Sequence, residues 1–238
     1  MKKLLLLITV LTGMVASAQT SDTKTIKMPN RTKDHFMIQY GIDGWTSRPD
    51  SVRTGGFSRH FNTYIMFDKP FKTNPKMSAG IGLGIGSSNI FFNNTNVNVK
   101  HVGTQLPFTI ADSINHFDKF KITTLYLELP VEIRYFSNPN NMNKSWKFAI
   151  GAKVGTLLKS FSKGKNYVNR NGQSIYGPTF IEKEQIKKFF NGTSLAVTGR
   201  VGYGIIGLQG SYNVLGVLRD GSGARMNRFS FGISISGL

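Results

Sequence analysis

The sequence predicts an all-β protein, an eight-stranded antiparallel up-and-down transmembrane β-barrel. Three observations lead there. Eight stretches alternate apolar residues with polar or glycine residues at period two, the mark of strands whose two faces meet unlike surroundings. Long and short connections alternate between those stretches, as in barrels with short periplasmic turns and long external loops. An export signal precedes them all.

The export signal consists of Lys2 and Lys3, an apolar run from Leu4 to Val15, and Ala16-Ser17-Ala18 before Gln19. The run is shorter than the roughly 20 residues a membrane helix needs, so residues 1–18 are expected to be a cleaved signal peptide. Residues 19–34 are polar and basic, with Pro29-Asn30, and are expected to form a flexible periplasmic leader. The barrel is assigned to 35–238. No later stretch approaches the apolar run of a membrane helix, which leaves a strand-built span open. The 238 residues include no cysteine, and 30 Lys+Arg outweigh 12 Asp+Glu for a net charge of +18. The absence of thiols excludes a disulfide scaffold, thiolate metal sites and a cysteine nucleophile. So basic a chain invites nucleic acid as a partner, but export removes it from that partner. The expected location is the outer membrane of a Gram-negative bacterium.

The strands follow in order. Phe36, Ile38, Tyr40 and Ile42 alternate with Gln39, Gly41 and Asp43, and Phe61, Ile65 and Phe67 with His60, Asn62 and Asp68. Met77 to Ile85 alternates with Ser78, Gly80, Gly82, Gly84 and Gly86, and Leu125 to Tyr135 with Tyr126, Glu128, Pro130, Glu132 and Arg134. Phe148, Ile150, Ala152 and Val154 oppose Ala149, Gly151, Lys153 and Gly155, while Leu195 to Tyr203 opposes Ser194, Ala196, Thr198, Arg200 and Gly202. Ile206, Leu208, Tyr212 and Val214 oppose Gly207, Gln209, Ser211 and Asn213, and Phe229 to Ile235 opposes Ser230, Gly232, Ser234 and Ser236. A soluble sandwich would place Lys and Glu on the polar faces. Here those faces are mostly small, which suits the tight interior of an eight-stranded cylinder with its apolar face in lipid. Long gaps fall at about 45–56, 93–119, 161–192 and 216–226; short ones fall at 69–75, 137–144 and near Gly204.

The segment Tyr126-Leu127-Glu128-Leu129-Pro130 resembles the Y-L-E-hydrophobic-P signature of PorT-like outer-membrane β-barrel proteins of Bacteroidota. The stretch from Phe148 to Gly155 is similar to that family's next strand, and the Ser-Ala-Gln cleavage region is typical of the phylum. The resemblance implies the same eight-stranded barrel and, through its namesake, a link to type IX secretion. Pro130 removes a ladder donor, so a bulge or bend is expected there.

The run Gly80-Ile81-Gly82-Leu83-Gly84-Ile85-Gly86 only superficially suggests a dinucleotide loop. Its spacing lacks the third fingerprint glycine and no helix pattern follows. The predicted lumen charges are Asp43, Asp68, Glu128, Glu132, Arg134, Lys153 and Arg200. They could line a proton relay or pore, but a structural ion-pair network suits an enclosed face better, because buried charges persist when paired. The four histidines, His35, His60, His101 and His116, form no Ser-His-acid set and no ligand-spaced metal cluster. No catalytic residue and no cofactor is expected. Residues 181–190 suggest a short amphipathic helix whose Ile186, Phe189 and Phe190 share a face, with Glu184 four before Lys188. It would be either a lid over the barrel mouth or a docking surface. Arg59, Lys121, Lys159 and Arg228 are expected on an outer rim facing lipopolysaccharide phosphates.

The expected function is that of a non-enzymatic barrel acting as scaffold, adaptor or accessory subunit. Its protein partners would meet the external loops or the periplasmic face. A narrow channel and a lipid-modifying enzyme are the alternatives.

Overall fold

Eight strands close on themselves. The computed structural model describes residues 36–55, 57–110 and 115–237, so the predicted signal peptide and leader lie outside the described residues. The strands are β1 (Phe36–Thr46), β2 (Arg59–Pro70), β3 (Met77–Phe92), β4 (Thr95–Val97), β5 (Phe108–Ile110), β6 (His116–Phe136), β7 (Trp146–Val168), β8 (Ile181–Gln185), β9 (Thr193–Tyr203), β10 (Ile206–Asn213) and β11 (Asn227–Ser236). The ring runs β1-β2-β3-β6-β7-β9-β10-β11, with every neighbour antiparallel. Pairing of β11 with β1, for example Tyr40 opposite Ile233, closes it. Strands β4 and β5 form a separate hairpin, and β8 pairs with β7 outside the ring.

Parity along each strand sets the two faces. Ile65, Leu83, Ile133, Val197 and Phe231 point outward and are about half exposed, whereas Gln39, Asn62, Glu128 and Gln209 point inward and are buried. On β6 the outward apolar row runs from Tyr135 to Leu125. Ten residue-to-residue rises of about 3.3 Å, tilted by about 40°, give an apolar band roughly 25 Å tall. At its edge beside the short turns, Trp146 meets Tyr203 edge-on at 5.6 Å and stacks near Phe148 at 6.4 Å, as in the aromatic girdle of a membrane interface.

The strands do not stop at that band. β6 has 21 residues and β7 has 23, against the 9–11 or so that cross a bilayer. Residues 116–119 and 161–168, expected as loop, therefore extend β6 and β7. Above the band the polarity of the faces reverses: Ile90, Phe92, Phe120, Ile122 and Leu157 are now inside and buried, while Lys121 and Lys163 take the outer face. Trp45, Phe189, Phe190 and Leu218 join them in one apolar cluster. Its Trp45 and Phe92 rings meet edge-on at 5.6 Å. This cluster is the core of a head that continues the barrel wall.

The expected helix at 181–190 is absent. Residues 181–185 are strand β8, and Lys187–Phe189 is a single 3₁₀ turn. Glu184 reaches Lys100 at 3.4 Å instead of Lys188, whose ammonium donates to the His101 carbonyl at 2.7 Å. Ile186, Phe189 and Phe190 are 1% exposed or less, so they pack inside the head and offer no docking face. The expected bulge at Pro130 is also displaced. Pro130 stays in register with Lys153, and the irregularity in that ladder lies at Leu125/Tyr126, where β7 carries the extra residue Leu158. What the missing N–H removes is pairing with β3, whose ladder to β6 skips from Ile81–Val131 to Gly84–Glu128 without a register change.

The glycine row of β3 is a packing device. A Cβ on Gly80 would lie 2.7 Å from the Arg134 guanidinium, and one on Gly86 2.6 Å from the Glu128 carboxylate. At Gly84 it would strike the Thr63 carbonyl oxygen and the Tyr64 backbone. Gly204, at φ +61°, makes the tight turn between β9 and β10. Gly84→Val is expected to abolish the heat-modifiable gel migration of the folded barrel. Gly199→Val, on the lipid face with open space around it, is expected to preserve it.

Candidate functional site

Parity and the narrow ring bring the inward side chains together in layers. Nearest the short turns, Arg134 Nε donates to Glu132 at 3.0 Å, and its terminal nitrogen lies 3.5 Å from Asp68, which also accepts from Ser78 at 2.6 Å. From the far wall Arg200 reaches the same Glu132 oxygen at 2.8 Å and Ser236 at 3.0 Å. In the middle, Glu128 is 1% exposed. It accepts from the Tyr64 hydroxyl at 2.5 Å and from Lys153 at 3.0 Å, and its second oxygen lies 3.6 Å from Arg228. The outermost layer is a chain: Ser88 donates to one oxygen of Asp43, the other faces His60 Nδ1 at 2.8 Å, and His60 Nε2 faces the Gln209 amide at 2.7 Å. A proton on Nδ1 directed at the carboxylate leaves Nε2 to accept from Gln209.

All seven residues predicted for the lumen lie in it. Six join the two carboxylate-centred clusters around Glu132 and Glu128, whereas Asp43 belongs to the histidine layer. Of the residues predicted for the rim, Arg59, Lys121 and Lys159 do face outward. Arg228 does not. It is buried at 7% exposure over the Tyr126 ring, 5.8 Å from its centroid. The reason is parity: Phe229 and Phe231 face lipid, so Arg228 must face the lumen. Lys147 is a second lumen base beyond the predicted set. It shares the inward parity of Lys153 and sits over the Phe136 ring at 6.0 Å. Counting two-residue steps back from Lys153 and Ser230 would have placed both bases.

Among the described residues, side chains leave little space around these clusters. Beneath the head, the space among Trp45, Ser88, Ile122, Thr124, Tyr126 and Arg228 amounts to about 10 Å³, room for about one water. At the other end a similar void of about 10 Å³ lies among Arg134, Phe136, Lys147 and Arg200. The Asp43–His60 pair lacks a nucleophile's geometry, since Ser88 bonds the carboxylate and Gln209 occupies the other ring nitrogen. The arrangement locks the barrel wall together from inside and seats the apolar head above it.

A family model described as an outer membrane protein beta-barrel domain matches residues 30–236. No curated protein matches the chain.

Removing one member of a buried ion cluster strands the others, at a cost of about 3–5 kcal/mol, whereas replacing a pair with apolar residues is far milder. Glu128→Leu is therefore expected to lower unfolding stability in lipid vesicles by that order. Glu128→Leu combined with Lys153→Met is expected to recover part of it, as read from urea unfolding of the refolded barrel.

Proposed function

The chain belongs to the outer membrane protein β-barrel domain family and is an integral outer-membrane protein of a Gram-negative bacterium; on that premise we propose that it is a non-enzymatic scaffold, adaptor or accessory subunit that works through its external head. The observation that carries this reading is the combination of a side-chain-filled lumen with a head that has its own apolar core. A filled lumen suits anchoring better than conduction. A head that continues β6 and β7 without a hinge suits the presentation of a fixed surface. The basic outer rim, with Arg59, Lys121 and Lys159, would hold the barrel against the anionic outer leaflet. Within this reading, the strand-six sequence Tyr126 to Pro130 supports a narrower proposal, a PorT-like accessory role in type IX secretion in Bacteroidota.

In planar bilayers the purified barrel is expected to give no unitary conductance steps; steady steps would favour the channel instead. A photo-crosslinker at Val102, 96% exposed on the head, is expected to yield a discrete protein adduct in native outer membranes. The same probe at Ile150 on the lipid face, 71% exposed, is expected to yield none. Adducts equal at both positions would remove the adaptor reading. Deletion of the gene with type IX cargo release unchanged would remove the narrower one.

A further inference from the structure

The outward face directly above the apolar band carries a ladder of like charges. On β6, β7 and β8, Lys121 stands opposite Lys163, and Lys163 opposite Lys183. Directly opposed residues lie about 5 Å apart at Cβ, where like charges repel. Two residues further along, Lys119 opposes Lys165. Arg59 of β2 completes the patch: its guanidinium and the Lys121 ammonium each lie 5.5 Å from the Phe91 ring centroid, and Lys183 lies 4.2 Å from that of Phe161.

Among the described residues no carboxylate comes within ion-pair distance of Arg59, Lys121, Lys163 or Lys183. The acids that flank Lys183, Glu182 and Glu184, lie on the other face of β8 and pair with Lys100 at 2.7 and 3.4 Å. Partial burial, then the charges of Lys163, Arg59 and Lys183, hold the Lys121 ammonium below the ordinary lysine range. Among the described residues the Asn89 amide oxygen, which accepts from the Lys121 ammonium at 2.9 Å, and the Phe91 and Phe161 rings are the polar and aromatic partners of these cations, and none carries a negative charge.

Height decides what would. The outward row of β6 passes from Leu125 through Thr123 to Lys121, so the ladder begins two outward positions above the band's upper edge, roughly 10 Å higher on a tilted strand. Two aromatic rings, Phe91 and Phe161, lie among the cations at this level. An occupant must lie against the barrel wall at headgroup depth and carry several negative charges. We propose that Arg59, Lys121, Lys163 and Lys183 form a binding site for the phosphate groups of an outer-leaflet glycolipid of the lipopolysaccharide type. The site deepens the lipid contact proposed above and rests on the external placement of the head.

Two measurements test it. Barrel refolded in nanodiscs containing bisphosphorylated lipid A is expected to retain that lipid through purification, as counted by hydroxy-fatty-acid analysis. Fully dephosphorylated lipid A is expected to be retained on the order of tenfold less, since charge-assisted phosphate contacts are lost. Lys121→Gln/Lys163→Gln/Lys183→Gln should fall to the dephosphorylated level, and the triple Arg variant should keep the lipid. Inorganic phosphate at millimolar concentration should not displace it. Equal retention of the two lipids, which needs no variant, overturns the proposal; so does displacement by free phosphate, or a folded triple Gln variant that retains lipid like the parent. Maleimide labelling of Val102→Cys on whole cells separates the two levels of inference, because the chain has no other cysteine. Labelling with equal lipid retention sinks the site alone. Lack of labelling sinks the external placement and the site with it.

Discussion

An eight-stranded ring leaves an interior only as wide as the side chains that fill it, and this chain fills that interior with charge. Glu128 sits at the centre of the arrangement, with Tyr64, Lys153 and Arg228 converging on it from three other strands. A buried carboxylate unpaired in that position would be too costly to keep. Its neighbours therefore fix the relative positions of β2, β6, β7 and β11. The glycine row of β3 follows from the same constraint. Four long side chains need space on one wall, and omitting Cβ atoms from Gly80 to Gly86 supplies it. Charge in the lumen and glycine on the wall are two halves of one packing solution.

The second organising feature is the height at which the two faces exchange character. Below the level of Asp43, Ser88 and Thr124, the outside meets lipid and the inside is polar. Above it, water surrounds the wall and the inside becomes an apolar core of Trp45, Phe92, Phe120, Ile186 and Phe189. The strands cross that level without interruption, and the extra residue Leu158 in β7 falls close to it. A bulge adds local twist, which suits a wall passing from one packing regime to another. Because β6 and β7 pair on both sides of that bulge, displacing the head means breaking strand pairing, and its surface is held in a fixed relation to the membrane.

The exchange also explains what the sequence revealed and what it concealed. Within the band, alternation has one phase, and all eight strands with their short turns can be found from apolar residues at every second position. Past Leu125 the apolar residues move to the other parity, at Ile122 and Phe120. A search tuned to one phase stops there, so the upper halves of β6 and β7 look like loop. The misplaced helix has a related cause. Ile186, Phe189 and Phe190 have helical spacing, but a strand followed by one 3₁₀ turn gathers the same three into a core. Arg228 shows the opposite failing, since its parity was legible and its nearness to a strand end misdirected the assignment. Pairing across the lumen, such as Arg200 with Glu132, depends on ring closure and shear, which no single strand encodes.

The surplus of positive charge can be interpreted in the same terms. Inside the lumen Asp43, Asp68, Glu128 and Glu132 answer Arg134, Lys153, Arg200, Arg228 and Lys147, so the excess must lie elsewhere on the chain. Strand β8 shows how it is sorted. In Glu182-Lys183-Glu184 the two acids turn to one face and are taken by Lys100, whose ammonium their hydrogen bonds and charge hold more firmly protonated. Lys183 turns to the other face, beside Lys163 and Lys121. Alternation therefore separates the signs across a single strand. A strand that only needed solubility could have mixed the charges on one face, where opposite neighbours attract. Segregating them moves the acids of β8 away from the face nearest the lipid, where Lys121 has the neutral Asn89 oxygen as its hydrogen-bond acceptor, and leaves that face open to anionic groups from the membrane side.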